Sequence, residues 1–362
     1  RLLEVGGTSG HAEMTKGYDY DSVCTAIDTE LYKLTTFEMM EEAGVDVCVK
    51  TLLTGAIVED GRIRGVITES HSGREAICAD AFVDSTGYGD LAAHAGADFV
   101  ELNDYPVVNS IGVGGVSVEK YYEFLDSYDA VTQYSEGLRS GEPGKIVRVD
   151  GARDKLPPAF SEGARKIGMS LVTTTVHDDY FMFIKINFKM TVSPTSRDHA
   201  ADAELELRRR QAKAIALLRA HVPGCKKAFI ARTSPSLCIR RGRTIACDYD
   251  ITRSDVLEGR HFDDDVMAYG FHDSAPRLQI RDGGTYGVPY RALRVAGIDN
   301  LLAAGMLITS NHDAHMSTRN TVCCMGQGQA AGTAAALCAA RKRGTRDLVY
   351  ADLRLEDEDG GD

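Results

Sequence analysis

The chain has 362 residues, 43% of them hydrophobic and 26% charged, with a formal net charge of −12. This balance supplies a sizeable core and two or three domains, and it excludes a collagen-like chain. No run approaches the roughly 20 apolar residues of a membrane span, and the acidic body lacks the basic face that a nucleic-acid binder needs.

Five of the acids (Glu356, Asp357, Glu358, Asp359 and Asp362) fall in the last eight residues, which contain no base. Residues 346–362 are therefore expected to form a solvated acidic tail. Nine cysteines without a leader-like opening point to a reducing, cytoplasmic setting. None of them forms C-x-x-C, so neither a disulfide framework nor a metal site built on cysteine is expected.

Arg1 to Gly7 reads as the end of a strand entering a glycine turn. From Asp28 to Ala43, apolar residues at Leu31, Leu34, Phe37, Met40 and Ala43 predict a helix that Gly44 stops. Val45, Val47 and Val49 alternate. Leu53 to Val58, Ile63 to Thr68 and Ala76 to Asp84 then predict a meander turning at Asp60-Gly61 and Ser72-Gly73. Its last strand runs into Ser85-Thr86-Gly87 and a short helix from Leu91 to Ala95.

Residues 101–200 alternate aromatic-rich pieces with Gly/Pro breaks, which suits a mixed sheet over a cleft. Asp202 to Arg219 predicts a long amphipathic helix. Further on come an extended segment at Tyr286 to Arg291 and a short buried strand from Asn300 to Ala304 that ends at Gly305. A polar loop from Thr309 to Asn320 and a small-residue helix from Gly326 to Ala340 follow.

Four features carry chemistry. The small residues at the start of the last helix let backbone N–H groups come close to a ligand, and a helix N-terminus favours negative charge. Glu4, after Leu2-Leu3 and before Gly6-Gly7, suits the acid that binds a ribose in dinucleotide folds, with a solvated surface acid as the alternative. Thr86-Gly87, at a strand end, lets the chain pass close to a cofactor; a plain turn is the alternative. His312, Asp313 and His315 crowd one loop. A histidine there can act as acid or base because its pKa lies near working pH; a structural loop and a metal site are the alternatives.

Together these pieces resemble the FAD-dependent oxidoreductase family, of the glutathione-reductase-like and fumarate-reductase-flavoprotein-like kind. The matching stretches are Phe82 to Gly96, Glu206 to Ala212, Asp255 to Asp264, Tyr286 to Arg291, Asp299 to Gly305 and Cys324 to Ala336. The resemblance implies an α/β fold: a three-layer, Rossmann-like FAD-binding domain with a β-meander, plus an inserted mixed α+β substrate domain. It divides the chain into 1–102 and 286–345 for FAD, 103–285 for the substrate domain, and the tail.

By the same resemblance Glu4 would bind the adenosine ribose, and Leu53 would meet the adenine through its backbone. Thr86 and Gly87 would lie along the dinucleotide and Gly305 near its pyrophosphate or ribityl chain. Gly328, Gln329 and Ala330 would face the flavin, whose reduced form carries negative charge that a helix dipole stabilises. Arg240 and Arg243 match a paired-arginine segment, and Arg291 and Arg319 adjoin cofactor motifs; all four suit carboxylate binding. His312 and His315 would move the proton, and Cys324 matches a cysteine near the flavin.

The sequence departs from the family at Arg241, where an acid is common, at Met306, where arginine is common, and in lacking a Gly-rich first βα turn. The expected activity is hydride exchange between FAD and a small organic substrate, a carboxylate-bearing one among the candidates. The electron donor or acceptor stays unidentified and a homo-oligomer open. The other readings are a flavoprotein-derived scaffold that no longer binds FAD and a metal hydrolase at His312, Asp313 and His315.

Overall fold

The computed structural model describes residues 1–17, 22–272 and 278–353. The acidic stretch from Leu355 to Asp362 lies outside the described residues. The chain divides into two compact units, one of residues 1–47, 106–190 and 196–238, the other of residues 48–105, 191–195 and 239–362.

The first unit is built on antiparallel pairing. One sheet runs in the order Thr173–Thr174, Glu142–Gly151, Val131–Arg139, Ala12–Lys16 and Val23–Cys24, and a second has Val107–Gly114 between Tyr180–Phe188 and Phe229–Thr233. Every pairing within these two sheets is antiparallel, so the mixed sheet expected over residues 101–200 is corrected on that point. Apolar residues on Val107–Gly114 leave seven of its eight positions buried, as suits a central strand covered on both faces.

The helix Arg197–His221 covers that sheet. Its buried Gln211 donates to Asn109 Oδ1 at 2.7 Å, and Asn109 in turn donates to Glu204 at 3.2 Å. These bonds satisfy polar groups that burial would otherwise penalise. Residues 2–5, expected as a strand end, instead form a turn closed by Gly7 N–H to Leu2 O at 2.7 Å. Glu4 is on that turn, its side chain 81% exposed.

The second unit holds the meander Leu52–Glu59, Arg62–Ser70 and Gly73–Cys78. Asp60 and Gly61 both have positive φ, 49° and 72°, the two-residue turn whose twist matches the flanking strands. The predicted strand from Ala76 to Asp84 is two elements. Phe82–Asp84 leaves the meander and pairs in parallel with Leu301–Ala303.

Asn300 explains the change of partner. It is 1% exposed, accepts from Ile63 N–H at 2.9 Å, and donates to Ile63 O at 2.8 Å and Asp80 O at 2.9 Å. One side chain thereby ties the meander to the start of the parallel pair. Leu301, Leu302 and Ala303 are fully buried in a core completed by Tyr286, Val288, Leu293 and the helix Thr321–Arg341. Leu348 and Leu353 are buried in the same core, within the stretch expected as tail. Among the described residues no helix is long and apolar enough to cross a membrane.

Gly168 and Gly141 separate two costs of adding a side chain. Both have positive φ, 68° and 81°, but a Cβ on Gly168 would lie 2.3 Å from Asn187 O, whereas Gly141 has nothing within 4 Å. Gly141→Ala is expected to cost about 1–2 kcal/mol, the left-handed penalty alone. Gly168→Ala should cost at least about 1 kcal/mol more, because backbone must move. Urea unfolding midpoints of the two variants check the difference.

Candidate active site

The parallel pair ends at two glycine corners. Asp84, fully buried, accepts from Thr86 N–H at 3.0 Å, Thr86 Oγ1 at 2.8 Å and Ala92 N–H at 2.9 Å. Thr86 Oγ1 then accepts from Asp90 N–H at 2.9 Å. These bonds fold Ser85–Asp90 into a rigid corner that starts the helix Asp90–His94. Arg243 braces it from outside, donating to Tyr88 O at 3.1 Å and Asp90 Oδ1 at 2.8 Å.

The second corner is Gly305, whose N–H donates to Gln327 Oε1 at 2.8 Å. Gln327 is fully buried and donates to Thr318 O at 2.8 Å, so it links the strand end to the turn before the last helix. Gly87 and Gly305 have φ of 74° and 88°. The nearest atoms to an added Cβ are Met306 Sδ and Cys324 Sγ, each at 4.0 Å. Ligands in open parallel sheets bind outside the carboxyl ends of strands, and here both ends offer room.

The last helix begins at Thr321, five residues before the expected Gly326. Gly328, Gln329 and Ala330 therefore lie two turns inside it, where N–H groups bond to the preceding turn. The N–H groups left over belong to Thr321, Val322 and Cys323. Asn320 gives them no side-chain cap, and the first turn holds no acid. Gly328 and Cys324 are four residues apart and share a face, and a Cβ on Gly328 would meet nothing within 4 Å. Gln329 and Ala330 instead line a cavity of about 220 Å³ with Val266, Met267 and Tyr350.

The loop predicted from Thr309 to Asn320 contains the helix His312–Thr318, capped by Asn311 accepting from Ala314 N–H. A cluster forms around it. His312 Nδ1 lies 2.6 Å from Asp104 Oδ2, which also accepts from Arg241 Nη1 at 3.0 Å. Tyr105 stacks on the His312 ring, centroids 4.7 Å apart at 22°. His315 Nε2 donates to Met306 O at 3.1 Å, leaving Nδ1 to accept from Tyr105 Oη at 3.2 Å. The Arg319 and Arg241 guanidiniums lie 5.2 and 5.4 Å from the Tyr105 ring centroid.

Arg241, 3% exposed, also donates to Thr309 O at 3.2 Å and Ser310 O at 3.1 Å. It holds Thr309 at φ 76°, a left-handed conformation costly for a β-branched residue.

Burial, and then the charge of Arg241, push the His315 pKa well below its usual value. His315 is thus neutral at pH 7 and cannot serve as an imidazolium acid. Burial also raises the Tyr105 phenol, partly offset by Arg319 and Arg241. It pushes the Cys324 thiol up to about 11, so this cysteine carries no thiolate at neutral pH.

The predicted residues separate accordingly. Thr86, Gly87, Gly305, Gly328, His312, His315 and Arg319 belong to the two corners, the last helix or the histidine cluster. Arg243 supports the Gly87 corner, and the half-buried Arg240 adjoins Arg241 in sequence. Arg291 pairs with Asp264 between the rings of Tyr249 and Phe262, 4.6 and 4.8 Å from their centroids, a packing role. Leu53 is on the meander, opposite Thr68. Glu4 belongs to the first unit. Asp313 pairs with Arg253 at 3.1 Å, so His312, Asp313 and His315 take separate protein partners.

Sequence reasoning did not find Asp104, Tyr105 or Gln327. Arg241 stood out there only as a departure from the family pattern.

The second unit thus places a glycine-lined parallel strand end beside a histidine cluster. The chain belongs to the FAD-dependent oxidoreductase family, whose model matches residues 3–356, and FAD is the family's cofactor. No curated protein matches the chain. Among solved structures it is similar to a geranylgeranyl bacteriochlorophyll reductase-like protein from Thermoplasma acidophilum, at 12% identity and TM-score 0.44, covering 94% of this chain and 66% of that one. It is also similar to a myxobacterial FAD-dependent chondrochloren halogenase, at 13% identity and TM-score 0.45, covering 98% and 64%. A flavin-dependent brominase gives 9% identity and TM-score 0.46, covering 99% and 68%. The chain thus spans about two thirds of the length of these proteins.

The residues present fit FAD in space and dipole. Gly87, Gly305 and Gly328 leave room that a Cβ would narrow, and the uncapped turn at Thr321–Cys323 favours negative charge. Direct hydrogen bonds from Thr86 and Gly305 N–H are already engaged by Asp84 and Gln327.

Two outcomes follow from the buried groups. Arg241→Met leaves Asp104 without its guanidinium and frees Thr309 and Ser310, and should cost about 3 kcal/mol or more in urea unfolding. Below pH about 6.5 the unfolded chain binds a proton at His315 that the native state refuses. Stability therefore falls as pH falls, by up to about 1.4 kcal/mol per pH unit. His315→Gln keeps a donor for Met306 O and should flatten that slope; unfolding midpoints at pH 7.5, 6.5 and 5.5 measure it.

Proposed function

We propose that this chain is the FAD-binding and substrate-handling part of an oxidoreductase that exchanges a hydride between flavin and a small organic substrate. The observation that carries the reading is one local arrangement. Gly87, Gly305, Cys324 and the open face at Gly328 border the carboxyl ends of a parallel strand pair, and Met306 O next to them anchors His315 of the histidine cluster.

When bound, FAD supplies the redox chemistry. The chain's own residues orient, exclude water and move the proton. Thr86 shapes the corner along which the dinucleotide runs, with Gly87 and Gly305 allowing close approach. The first-turn N–H groups at Thr321–Cys323 would favour the negative charge of the reduced cofactor, in place of the more distant N–H groups of Gly328, Gln329 and Ala330. Gly328 contributes by having no side chain.

His312 is the residue for proton transfer, because its ring is 46% exposed and paired with a carboxylate. Buried, neutral His315 positions Tyr105 beneath it. Arg319 serves a carboxylate on the substrate, its planar fork suited to two parallel hydrogen bonds. In this reading the second unit carries the flavin, with Leu53 of its meander meeting the adenine. The electron partner is a small molecule or protein of unassigned class. Family membership across residues 3–356 does not favour the scaffold alternative.

A visible spectrum with added FAD tests the reading. Oxidised flavin should bind and remain through gel filtration, and a protein that stays colourless at high FAD would sink it. Gly328→Leu sharpens the test. Leucine is a better helix former by roughly 1 kcal/mol, Gly328 is exposed and a Cβ there has nothing within 4 Å, so thermal stability should hold or rise. FAD affinity should fall at least about tenfold, the equivalent of ~1.4 kcal/mol. Unchanged affinity would remove this helix face from the cofactor site.

A further inference from the structure

The histidine cluster determines more than which residue handles the proton. We propose that Asp104 is a positioning residue that locks His312 in its Nδ1–H tautomer, so that Nε2 presents a lone pair and acts as proton acceptor. This rests on the proton-transfer role of His312 just described.

Asp104 Oδ2 sits 2.6 Å from His312 Nδ1 and 3.0 Å from Arg241 Nη1. The Asp104 oxygen that faces Nδ1 already accepts from the Arg241 guanidinium, and a carboxylate oxygen accepts where a ring N–H donates, so the proton is placed on Nδ1. Which ring nitrogen carries a proton is set by the bond the other makes. Tyr105 restrains the second degree of freedom. Its ring lies on the imidazole at 22°, with centroids 4.7 Å apart.

The Tyr105 ring is itself flanked by Arg241 and Arg319 and tied to His315 Nδ1. The imidazole is therefore held by its edge and by one face, while Nε2 makes no hydrogen bond among the described residues and the ring is half exposed. The charged and titratable groups around it are Asp104, Arg241, Arg319, Tyr105 and His315, with His315 neutral through burial.

The proton step follows. An O–H or N–H bond of the ligand breaks, its proton forms an N–H bond at Nε2, and the ring becomes an imidazolium whose Nδ1–H stays on Asp104. The ligand is left with the electron pair, and no oxidation occurs in this step. A ligand that arrives with an acidic O–H or N–H is thus the class this side of the cluster takes.

The test needs neither substrate nor cofactor. Nitrogen NMR of histidine-labelled protein, with His312 assigned by the signals lost in His312→Gln, reports which nitrogen of the neutral ring carries hydrogen. The wild type should show a protonated Nδ1 and a bare Nε2. Asp104→Asn should lose that preference, and a melting curve shows whether the variant is folded.

A wild-type ring with hydrogen on Nε2 overturns the proposal without using any variant, and makes His312 a donor instead. An unchanged tautomer in folded Asp104→Asn removes Asp104 as its cause. Failure of FAD to bind would defeat the flavoenzyme reading while leaving the tautomer result as measured, so the two failures are distinguishable.

Discussion

The buried guanidinium of Arg241 is the interaction on which the candidate site depends. It contacts one carboxylate and two backbone carbonyls, from Asp104, Thr309 and Ser310. Burial disfavours its charged form, and Asp104 works against that. A charge removed from water needs partners for its donors, and here both Nη groups have them while Nε has none among the described residues. The loop after Gly305 is therefore shaped around it, and even Thr309 is held in a conformation it would otherwise avoid. Ser310 is fixed again from the other side, its N–H donating to Asp250 at 2.8 Å. The histidine cluster inherits its geometry from this clamp.

A second buried polar system fixes the other half. Asp84 and Asn300 sit at opposite ends of the same short parallel pair. Asn300 joins it to the meander, and Asp84 folds the corner at Thr86. Two three-residue strands are too short to be stable as an isolated sheet. The corner keeps its shape because both carboxylate oxygens of Asp84 are engaged and because Leu301, Leu302 and Ala303 are fully buried. Gln327 does the corresponding work at Gly305, so each glycine corner is backed by one buried side chain with its hydrogen bonds satisfied.

Much of this was legible in the sequence, for reasons that can be stated residue by residue. The helix Thr29–Glu42 came from its spacing and Gly44, and the meander from alternation and the Asp60-Gly61 turn. Thr86, Gly87 and Gly305 were found because a glycine after a strand is a local signal. The break between Cys78 and Phe82 was not legible, since Ala79, Asp80 and Ala81 carry no turn glycine or proline and only the distant Asn300 decides where the strand leaves its sheet.

The start of the last helix was misplaced because Gly326 and Gly328 read as a beginning. In the structure Gly326 is an interior residue that lets Met267 pack close, with its Sδ 2.7 Å from where a Cβ would be. Asp104 and Tyr105 gave no signal at all, because their partners Arg241, His312 and His315 are more than 130 positions away.

The cluster's two histidines show how position within a few ångströms assigns different work to one residue type. His315 is fully buried, donates from Nε2 to a carbonyl, and lies near the positive charges of Arg241 and Arg319. Every one of those influences except the carbonyl disfavours a second proton, so His315 is a fixed neutral strut under Tyr105. His312, three residues earlier on the same short helix, has a half-exposed side chain and a carboxylate at Nδ1. A proton arriving at His315 is opposed by two guanidiniums, whereas His312 meets the carboxylate of Asp104. Arg319 and Arg241 lie against the same Tyr105 ring, so a single aromatic side chain joins the buried strut, the guanidinium clamp and the ring that faces Asp104.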